Sequence, residues 1–453
     1  MKDADTVLEA RWLVPVRPRE VVLEHHAVAI AGSRIVELLP IAQARTKYPA
    51  ARRVSLEHHA LIPGLVNAHG HSAMSLLRGV GDDLPLQRWL RERIWPLERA
   101  LVDEQFVYDG TRLAAAEMLR AGITCCNDMY FFPAQAASGL RSLGMRAVVG
   151  ILTLDFPSRY ASDADDYLRR GLAARDSLLQ DPLIGFTLAP HAPYTVSDQT
   201  LARVATLAEE LDLPVHMHVH ETAQEVEQSL RELGVRPLAR LDRLGLVSER
   251  LIAVHATHLL DAEIELLARR GASVAHCPAS NLKLASGVAP VAALLAAGVG
   301  VAIGTDGAAS NNRLDILGET LLASLLAKGQ ALQASVMPSW QALECATLAG
   351  ARALGMESRF GSIEVGKDAD LAAVDLSAIE TQPCYDVISQ LLHCAGREQV
   401  SHVWVAGGMV LQERRLVHAG SNTLLEEVLA AAAPWQNCVR QHLRQSAAAA
   451  QEH

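Results

Sequence analysis

Two histidines separated by one glycine, His69 and His71, follow an apolar run that ends at Ala68. In an extended strand, residues i and i+2 point to the same side, so the two imidazoles would lie side by side where the strand ends. Imidazoles placed in this way could provide two ligands of one metal ion. The chain contains 18 histidines, so chance pairs of this spacing are expected. The meaning of the pair depends on whether other strands bring further ligands to the same place.

The composition is that of a large globular chain. Of its 453 residues, 50% are hydrophobic and 20% are charged, which allows one α/β barrel together with a smaller domain. The net charge of −10 argues against a nucleic-acid backbone as a partner, and no Lys/Arg cluster contradicts this. Seven cysteines, an odd count without a Cys-x-x-Cys pair, indicate a reducing cytoplasm rather than a disulfide framework.

Two further stretches bear on localisation. The first residues, Met1–Asp5, lack the basic and then apolar layout of a signal peptide. The longest uncharged run, between Lys283 and Asp306, is interrupted by glycines and a proline, and it predicts a core helix followed by a buried strand. We therefore expect a cytoplasmic protein with no membrane partner.

From Leu61 onward, apolar strands alternate with amphipathic helices. The eight predicted strands are Leu61–Ala68, Ile123–Met129, Ala147–Leu152, Ile184–Leu188, Val215–His220, Leu251–His255, Ala272–His276 and Val299–Gly304. The predicted helices include Asp109–Ala121, Asp163–Gln180, Ser197–Leu211, Thr222–Leu233 and Asp261–Arg270, several of which begin with an N-cap residue type. This alternation predicts an α/β fold, a closed (β/α)8 TIM barrel, with an open doubly wound sheet as the alternative.

β-Rich segments precede and follow the predicted barrel. They are Val7–Ala10, Ala27–Ile30 and Arg34–Leu38 on one side, and 360–374, Val400–Val405 and Met409–Leu411 on the other. Residues 31–33 have the composition of a hairpin turn, and a short helix is predicted near Ile41–Lys47. The economical arrangement joins residues 1–60 and 360–420 as one small β-sandwich domain beside a barrel of residues 61–359. Residues 421–453 predict a helical tail with a frayed end.

Side chains that could bind a metal or move protons recur where the predicted strands end. They are His69 and His71 on the first strand, His191 after the fourth, His216, His218 and His220 on the fifth, His255 on the sixth, His276 on the seventh and Asp306 after the eighth. Barrel enzymes assemble their sites at this end of the strands. A lone buried histidine is more often a core residue than a ligand, but six such coincidences at one end of a barrel are improbable. The set predicts an active site that no single member predicts.

The donor types indicate the chemistry. Three imidazoles and one carboxylate with an open position suit Zn²⁺ holding a water, although Fe²⁺, Mn²⁺ or Ni²⁺ would accept the same ligands. Such a metal lowers the pKa of the bound water towards ~7. A carboxylate must then carry protons to a leaving group, and Glu221, three residues beyond His218, lies just past a strand end where a turn can aim it at the substrate.

Four stretches carry a family likeness: Leu61–His71, His218–Thr222, His276–Leu284 and Gly304–Gly307. With them the chain resembles the amidohydrolase superfamily and, within it, the 5-methylthioadenosine/S-adenosylhomocysteine deaminases. The stretch Gly361–Leu371 is similar to the family's returning β-segment, so the likeness covers nearly the whole chain. The resemblance implies one divalent metal ion per subunit, Zn²⁺ first among the candidates, a small-molecule nucleoside substrate and a homodimer.

Carried over residue by residue, the resemblance makes His69, His71, His218 and Asp306 the metal ligands. Glu221 would be the proton shuttle, His255 would orient the attacking water, and Asp306 would also take the proton of that water. Glu221 and Asp306 would therefore both contact the substrate. The choice of His218 over His216 and His220 follows the spacing to Glu221, since strand alternation puts all three on one face only if the strand stays regular.

Four further residues are implied to bind the substrate. His191 would meet the purine edge, and Glu98 would grip the ribose hydroxyls. Trp89 would form a wall of the pocket, and Arg159 would meet a carboxylate or sugar of the substrate. The plainer alternatives are a solvated helical glutamate for Glu98, a core residue for Trp89 and a surface side chain for Arg159.

The predicted fourth strand contains no lysine. Binuclear members of the superfamily bridge two metals with a carboxylated lysine on that strand, so the resemblance implies a mononuclear site. Lys283 follows the seventh strand and is not a substitute.

The resemblance thus implies hydrolytic deamination of the adenine ring of S-adenosylhomocysteine, 5′-methylthioadenosine or adenosine. Activated water attacks C6, Glu221 protonates N1 and then the departing amine, and ammonia leaves. The alternative enzyme is an aminohydrolase acting on guanine, 8-oxoguanine, cytosine or a triazine, for which a ribose-binding Glu98 has no purpose. A catalytically inactive scaffold is the alternative of another class, and the complete ligand set argues against it.

Overall fold

The computed structural model describes residues 3–417 and 423–451 of the chain. Outside the described residues lie Met1 and Lys2, the start of the stretch that lacks the layout of a signal peptide. The last two residues of the tail, 452–453, where fraying was predicted, also lie outside them. Sixteen described strands form two sheets of eight strands each. In chain order they are β1 Thr6–Leu13, β2 Leu23–Ala31, β3 Arg34–Pro40, β4 Arg52–Pro63, β5 Leu65–Gly70, β6 Ile123–Asp128, β7 Arg146–Thr153, β8 Ile184–Pro190, β9 Val215–Val219, β10 Leu251–His255, β11 Ser273–His276, β12 Gly300–Ile303, β13 Leu371–Asp375, β14 Val400–Val405, β15 Gly408–Gln412 and β16 Arg415–Leu416.

Strands β5 to β12 form a parallel sheet in which each strand pairs with the next along the chain. The two outer strands meet where the backbone amides of Thr305 and Asp306 donate to the carbonyl of His69, at 3.2 and 3.0 Å. The sheet is therefore curled into a barrel rather than left open. The predicted (β/α)8 fold is confirmed, and seven of its eight predicted strands agree with the observed bounds within two residues at either end.

The second sheet combines both parts of the chain that flank the barrel. Its strand order is β16-β15-β14-β13-β4-β1-β2-β3, and β4 pairs antiparallel with β13 and parallel with β1. β2 and β3 form the predicted hairpin around the turn at 31–33. One buried apolar cluster joins side chains from both parts, including Leu8, Ile30, Leu371 and Trp404. The second β-domain built from both chain ends is confirmed as part of the fold, while its residue ranges stay a prediction.

The first predicted strand is wrong in one respect. The run Leu61–Ala68 is two strands: β4 ends at Pro63 in the second sheet, and β5 begins at Leu65 in the barrel. The chain changes sheet at Gly64, where an added Cβ would lie 2.2 Å from Oγ1 of Thr124. Since the last four residues of β4 and all of β5 are buried, the apolar run is continuous across the change and its pattern does not reveal it.

The described helices are α1 Ile41–Lys47, α2 Leu86–Trp89, α3 Trp95–Leu101, α4 Glu104–Arg120, α5 Pro133–Arg141, α6 Ala164–Leu178, α7 Asp198–Leu211, α8 Ala223–Leu233, α9 Pro237–Arg243, α10 Asp261–Arg270, α11 Pro278–Lys283, α12 Val291–Ala296, α13 Ile316–Ala331, α14 Ser339–Ala346, α15 Leu348–Ala353, α16 Val387–His393 and α17 Leu424–Gln451. A π-helical turn, Leu90–Ile94, joins α2 to α3. The side chains of Asp163, Ser197 and Thr222 cap α6, α7 and α8, as their residue types predict. Within the described part of the chain, no helix has the length and apolar character needed to span a bilayer.

A buried arginine joins the amino-terminal end of the barrel to the second sheet. Arg146, which begins β7 and is 1% exposed, donates to both carboxylate oxygens of Asp370 at 2.8 and 3.0 Å. It also donates to Asp368 at 3.0 Å, and its guanidinium lies 4.8 Å from the ring centroid of Phe360. Removing one partner of a buried ion pair leaves an uncompensated charge in the interior.

Replacement of Arg146 by Met is therefore expected to lower the free energy of unfolding by about 3–5 kcal/mol, because Asp370 would stay buried without its cation. Urea unfolding at a fixed protein concentration measures the loss. The matched control is Arg269→Met, whose partner Glu265 is exposed at 3.6 Å, and which should lose less than about 1 kcal/mol. Equal losses in the two variants would contradict the structural role of Arg146.

Candidate active site

The four predicted metal ligands meet at the carboxyl end of the barrel. His69 lies near the end of β5, His71 follows that strand, His218 lies in β9, and Asp306 follows β12. The Nε2 atoms of His69 and His71 lie 3.3 and 3.2 Å from Oδ1 of Asp306. The ring of His218 packs 4.9 Å from the ring of His69, centroid to centroid. The donor atoms therefore converge on one small volume.

Backbone carbonyls fix the ring orientation of two of these histidines. Nδ1 of His71 lies 2.5 Å from the carbonyl oxygen of Met129, and Nδ1 of His218 lies 2.8 Å from that of His191. A carbonyl can only accept, so in both rings Nδ1 carries a proton, and the neutral form of each ring presents the lone pair of Nε2. This is the tautomer that a metal ligand needs, and the outer hydrogen bond is the usual means of securing it.

Asp306 is held by two serines. The hydroxyls of Ser280 and Ser310 donate to Oδ2 of Asp306 at 2.5 and 2.7 Å, which leaves Oδ1 turned towards the imidazoles. Against the effect of burial, the neighbouring histidines hold the pKa of Asp306 well below its ordinary value. The carboxylate is thus kept ionised and oriented.

The protonation of the imidazoles also suits a cation. Burial lowers the pKa of His69 to about 3 and lowers that of His218 well below its ordinary value, so both rings are neutral. Burial also lowers the pKa of His71, but the Asp306 carboxylate outweighs it and raises the pKa to about 9. A positive charge between His71 and Asp306 is therefore favourable, and a divalent cation would supply it.

These residues fit a metal ion of the zinc type, since they combine imidazole nitrogens with one carboxylate oxygen. Two groups of ligand atoms, each within 4.8 Å of one another, occur in the described part of the chain: His69 with His71 and Asp306, and His69 with His218 and His255. Both groups share His69. They therefore form one cluster, which agrees with the single metal ion expected from the missing lysine on β8.

Glu221 and His255 stand beside this centre. The Oε2 atom of Glu221 lies 3.8 Å from Nε2 of His255, and the Ser286 hydroxyl donates to Oε1 of Glu221 at 3.4 Å. Burial raises the pKa of Glu221, so this carboxyl holds a proton at a higher pH than an ordinary glutamate. Nδ1 of His255 lies 2.8 Å from the amide oxygen of Asn281, which directs Nε2 into the site.

A cavity opens from the centre and has about 890 Å³ of free space, part of it open to solvent. Its wall contains all predicted site residues except His69 and Arg159: His71, Trp89, Glu98, His191, His218, Glu221, His255 and Asp306. Most of the remaining wall is apolar, with Leu86, Ile94, Phe131 and Leu154 among its residues. An apolar cavity with a few convergent polar groups is typical of a small-molecule site.

The predicted substrate-binding residues have defined partners there. Glu98 accepts a hydrogen bond from the Tyr130 hydroxyl at 2.8 Å, and burial raises its pKa to about 7; it is not a solvated helical glutamate. Trp89 is buried and donates to the carbonyl of Val80 at 3.0 Å, so it is both a packed residue and a wall of the cavity. Burial lowers the pKa of His191 to about 3, which leaves a neutral ring that can donate or accept.

Arg159 is not brought to the centre. It is exposed, donates to the carbonyl of Ala100 at 2.8 Å, and lines an adjoining cavity. That cavity shares Trp95, Glu98 and Phe131 with the first. Because loop positions are poorly fixed by sequence pattern, the residue types alone did not distinguish these two cavities.

The register of β9 separates its three histidines. His216 lies deeper in the barrel, with Nε2 2.8 Å from Nδ1 of His69. His220 follows the strand with φ +54°, and its Nε2 accepts from the amide of Leu238 at 3.0 Å. Of the three, the described ligand groups include only His218.

The sequence reasoning missed the residues that support the site. Tyr130 comes directly after the second predicted strand, a position that could have drawn attention to it. Ser280 and Asn281 lie within a stretch already noted for its family likeness. Ser310 had no signal in the sequence, because only the turn after β12 brings its hydroxyl to Asp306.

Comparisons with known proteins agree on the family. The model of the amidohydrolase family matches residues 60–410. A 5-methylthioadenosine/S-adenosylhomocysteine deaminase from Saccharophagus degradans is 45% identical over 91% of this chain and 93% of its own length. A 5′-deoxyadenosine deaminase from Methanopyrus kandleri is 41% identical over 82% of this chain and 85% of its own length. The crystal structure of an adenosine deaminase from Xanthomonas campestris with bound zinc has a TM-score of 0.94 and 53% identity, and the match covers 97% of this chain and 99% of that one.

The site combines convergent imidazoles with a single carboxylate at one end of the barrel. This arrangement is typical of metal-dependent hydrolases. The match over most of the chain makes the assignment specific: the chain belongs to the amidohydrolase family.

Substitution of His218 by Asn is expected to lower the bound metal at least about tenfold, because one of the convergent nitrogens is lost. Metal per chain, measured by mass spectrometry after dialysis against a weak chelator, tests this. The control is His276→Asn, a buried histidine at the end of β11 that belongs to neither ligand group. It should keep its metal, and equal metal content in both variants would rule His218 out as a ligand.

Proposed function

We propose that this protein is a metal-dependent deaminase that converts the adenine ring of S-adenosylhomocysteine, 5′-methylthioadenosine or adenosine to hypoxanthine and releases ammonia. The observation that carries the proposal is the presence of the Glu98 carboxylate in the wall of the cavity that also contains Glu221 and the ligand set. Relatives named as deaminases of adenosine derivatives, at 41–53% identity, support the same substrate class.

The ligands proposed are His69, His71, His218 and Asp306, and one Zn²⁺ per subunit is the proposed metal. When bound, such a cation lowers the pKa of a coordinated water towards about 7. Asp306, with Oδ2 occupied by two serine hydroxyls, keeps Oδ1 for the centre and is the proposed acceptor of a proton from the attacking water. His255, oriented by Asn281, is proposed to align that water.

Glu221 is the proposed proton carrier between the water and the ring. Its raised pKa keeps a proton available for N1 of adenine, where that proton stays in the hypoxanthine product. A second proton, which the attacking water gives up, is passed to the exocyclic nitrogen and lets ammonia depart as the C6 oxygen becomes the carbonyl. His191, whose ring is neutral, is proposed to contact the purine edge. Glu98 is proposed to accept hydrogen bonds from the ribose hydroxyls, with Trp89 as a wall beside it. Arg159 is proposed to meet a 5′ substituent that extends into the adjoining cavity.

An aminohydrolase acting on guanine, 8-oxoguanine, cytosine or a triazine is the alternative. The ligand set would serve it equally well, but a free base or triazine has no hydroxyls for Glu98. A homodimer in the cytoplasm completes the proposal; the free state of all seven cysteines agrees with a reducing setting.

The substrate class is tested with the purified holoenzyme and a panel of nucleosides, free bases and triazines, scored by ammonia release and by the ultraviolet change from adenine to hypoxanthine. Glu221→Gln is expected to retain its metal and to lose about 10²–10⁴-fold in turnover, since one protonatable group is removed. Wild-type turnover in this variant would remove Glu221 from the mechanism. Strong activity on a free base without activity on nucleosides would reverse the substrate assignment.

Glu98→Leu is expected to raise KM for adenosine by about 10–100-fold, because the hydrogen bonds from the ribose hydroxyls to the carboxyl oxygens are lost. Initial rates over a range of adenosine concentrations measure it. The control is Glu92→Leu on the same segment, whose carboxylate is exposed and paired with Arg88, and KM should stay within about twofold. An unchanged KM in Glu98→Leu would exclude ribose binding by this residue.

A further inference from the structure

Glu225 is a buried carboxylate that binds the backbone of Glu221. It lies in the first turn of α8 and is 6% exposed. Its Oε1 accepts from the amide of His220 at 3.1 Å, and its Oε2 accepts from the amide of Glu221 at 2.8 Å. The cap residue Thr222 in turn accepts from the amide of Glu225 at 3.2 Å. The side chain thus reaches back past the helix cap to the two residues before it.

The carbonyl groups of the same two residues are held from the other side. Oγ1 of Thr257 lies 3.0 Å from the carbonyl oxygen of His220 and 2.7 Å from that of Glu221. The amide of Thr257 also donates to the His220 carbonyl, at 3.1 Å. Both amides and both carbonyls of the 220–221 segment therefore have fixed partners. His220 has φ +54°, a conformation that a residue with a side chain adopts only when its surroundings hold it there.

The Glu221 side chain itself is held far less firmly. Its hydrogen bond from the Ser286 hydroxyl is 3.4 Å long, and Nε2 of His255 lies 3.8 Å away. The place of the Glu221 carboxyl is consequently set mainly by its backbone. Glu225 is the residue whose removal would release that backbone without touching the cavity, because it does not line the cavity.

Burying a carboxylate is unfavourable unless it is hydrogen-bonded, and here both oxygens are occupied by backbone amides that would lose their acceptor if an apolar residue replaced Glu225. Burial raises the pKa of Glu225, and the two backbone amides that donate to its oxygens oppose this rise by favouring the ionised form. The Glu225 carboxylate binds, through both oxygens, the backbone that carries the proton shuttle Glu221. This placement serves to orient that backbone.

We propose that Glu225 is a positioning residue that fixes the left-handed turn at His220 and thereby aims Glu221 at the substrate. It acts through the backbone and contacts no reacting atom. The proposal rests on the proposed role of Glu221 in proton transfer and adds a second residue to that role.

The test variant is Glu225→Gln. Glutamine has the same shape but only one accepting oxygen. Its NH2 group is a donor and would face a backbone N–H, which is also a donor, so one of the two hydrogen bonds is lost. We expect kcat for adenosine to fall about 10–100-fold. KM and the metal content should change by less than about threefold, because neither the cavity wall nor the ligands are altered. The matched control is Thr222→Ala, which removes the cap of α8 but keeps both hydrogen bonds that Glu225 accepts, and whose kcat should stay within about threefold.

A double-mutant cycle separates positioning from general damage. In the Glu221→Gln background, Glu225→Gln should not lower the residual rate further, since the group that it positions is already gone. An additive loss, or an equal loss in Thr222→Ala, would overturn the proposal. A normal kcat in Glu225→Gln together with an inactive Glu221→Gln would refute the positioning role alone. An active Glu221→Gln would instead refute the proposed role of Glu221 in proton transfer, while the substrate panel tests the deaminase function itself.

Circular dichroism and metal analysis accompany each variant. If Glu225→Gln does not fold, Glu225→Asp replaces it, since aspartate keeps the charge but is too short to reach both amides; a lower kcat at unchanged KM and metal content supports the proposal. Loss of the fold in both variants would make Glu225 a residue of general stability and overturn the positioning role.

Discussion

The closure of the barrel between β5 and β12, here called the seam, and the metal centre depend on the same residue, His69. The carbonyl of His69 accepts from the amides of Thr305 and Asp306, while the imidazole of His69 is shared by both groups of ligand atoms. Asn67 strengthens the seam by accepting from the amide of Thr305 at 3.0 Å and donating to its hydroxyl at 2.8 Å. At Gly304 an added Cβ would lie 3.0 Å from the backbone nitrogen of His69. Closing the ring therefore delivers Asp306 to the imidazoles, and the centre cannot form without it.

Burial gives the converged groups their chemistry. In the interior the charged form of an imidazole is disfavoured, so His69 and His218 are neutral and available as ligands. The same burial raises the pKa of Glu221 and makes it a holder of protons. One environment thus shifts the pKa values of bases and acids in opposite directions and favours the neutral form of both, which suits a hydrolase that must bind a cation and move a proton.

The sequence predicts the fold and the centre for one physical reason: parallel strands in a barrel all end at the same rim, so residues far apart in the chain can be assigned to one place. His69, His255 and Asp306 are found in this way. Features that depend on the backbone angles of a single residue cannot be predicted from the positions of the strand ends. The left-handed turn at His220, directly after β9, gives this histidine other partners than His218 has, and it has no signature in the strand pattern.

The predictions were least specific away from the strand ends. Glu98 could have been a solvated residue until Tyr130 was found opposite it, because a helix pattern does not tell which face meets a cavity. Arg159 lies in a loop and lines the adjoining cavity. The change of sheet at Gly64 escaped detection because burial on both sides of it keeps the pattern apolar. The resemblance to the family supplied the roles of these residues, whereas spacing alone supplied only their positions.

The placement of β4 next to β13 affects how the chain is made. These neighbours are separated by roughly 300 residues of barrel, so β4 leaves the ribosome long before its antiparallel partner exists. Until then the side of β4 that will receive β13 is an open strand edge, of the kind that invites pairing with other chains. The open edge of β4 therefore stays without β13 while the whole barrel is translated. The fold thus exposes the nascent chain to aggregation through this edge during translation. A protein whose amino-terminal domain folds independently of later segments would avoid this risk.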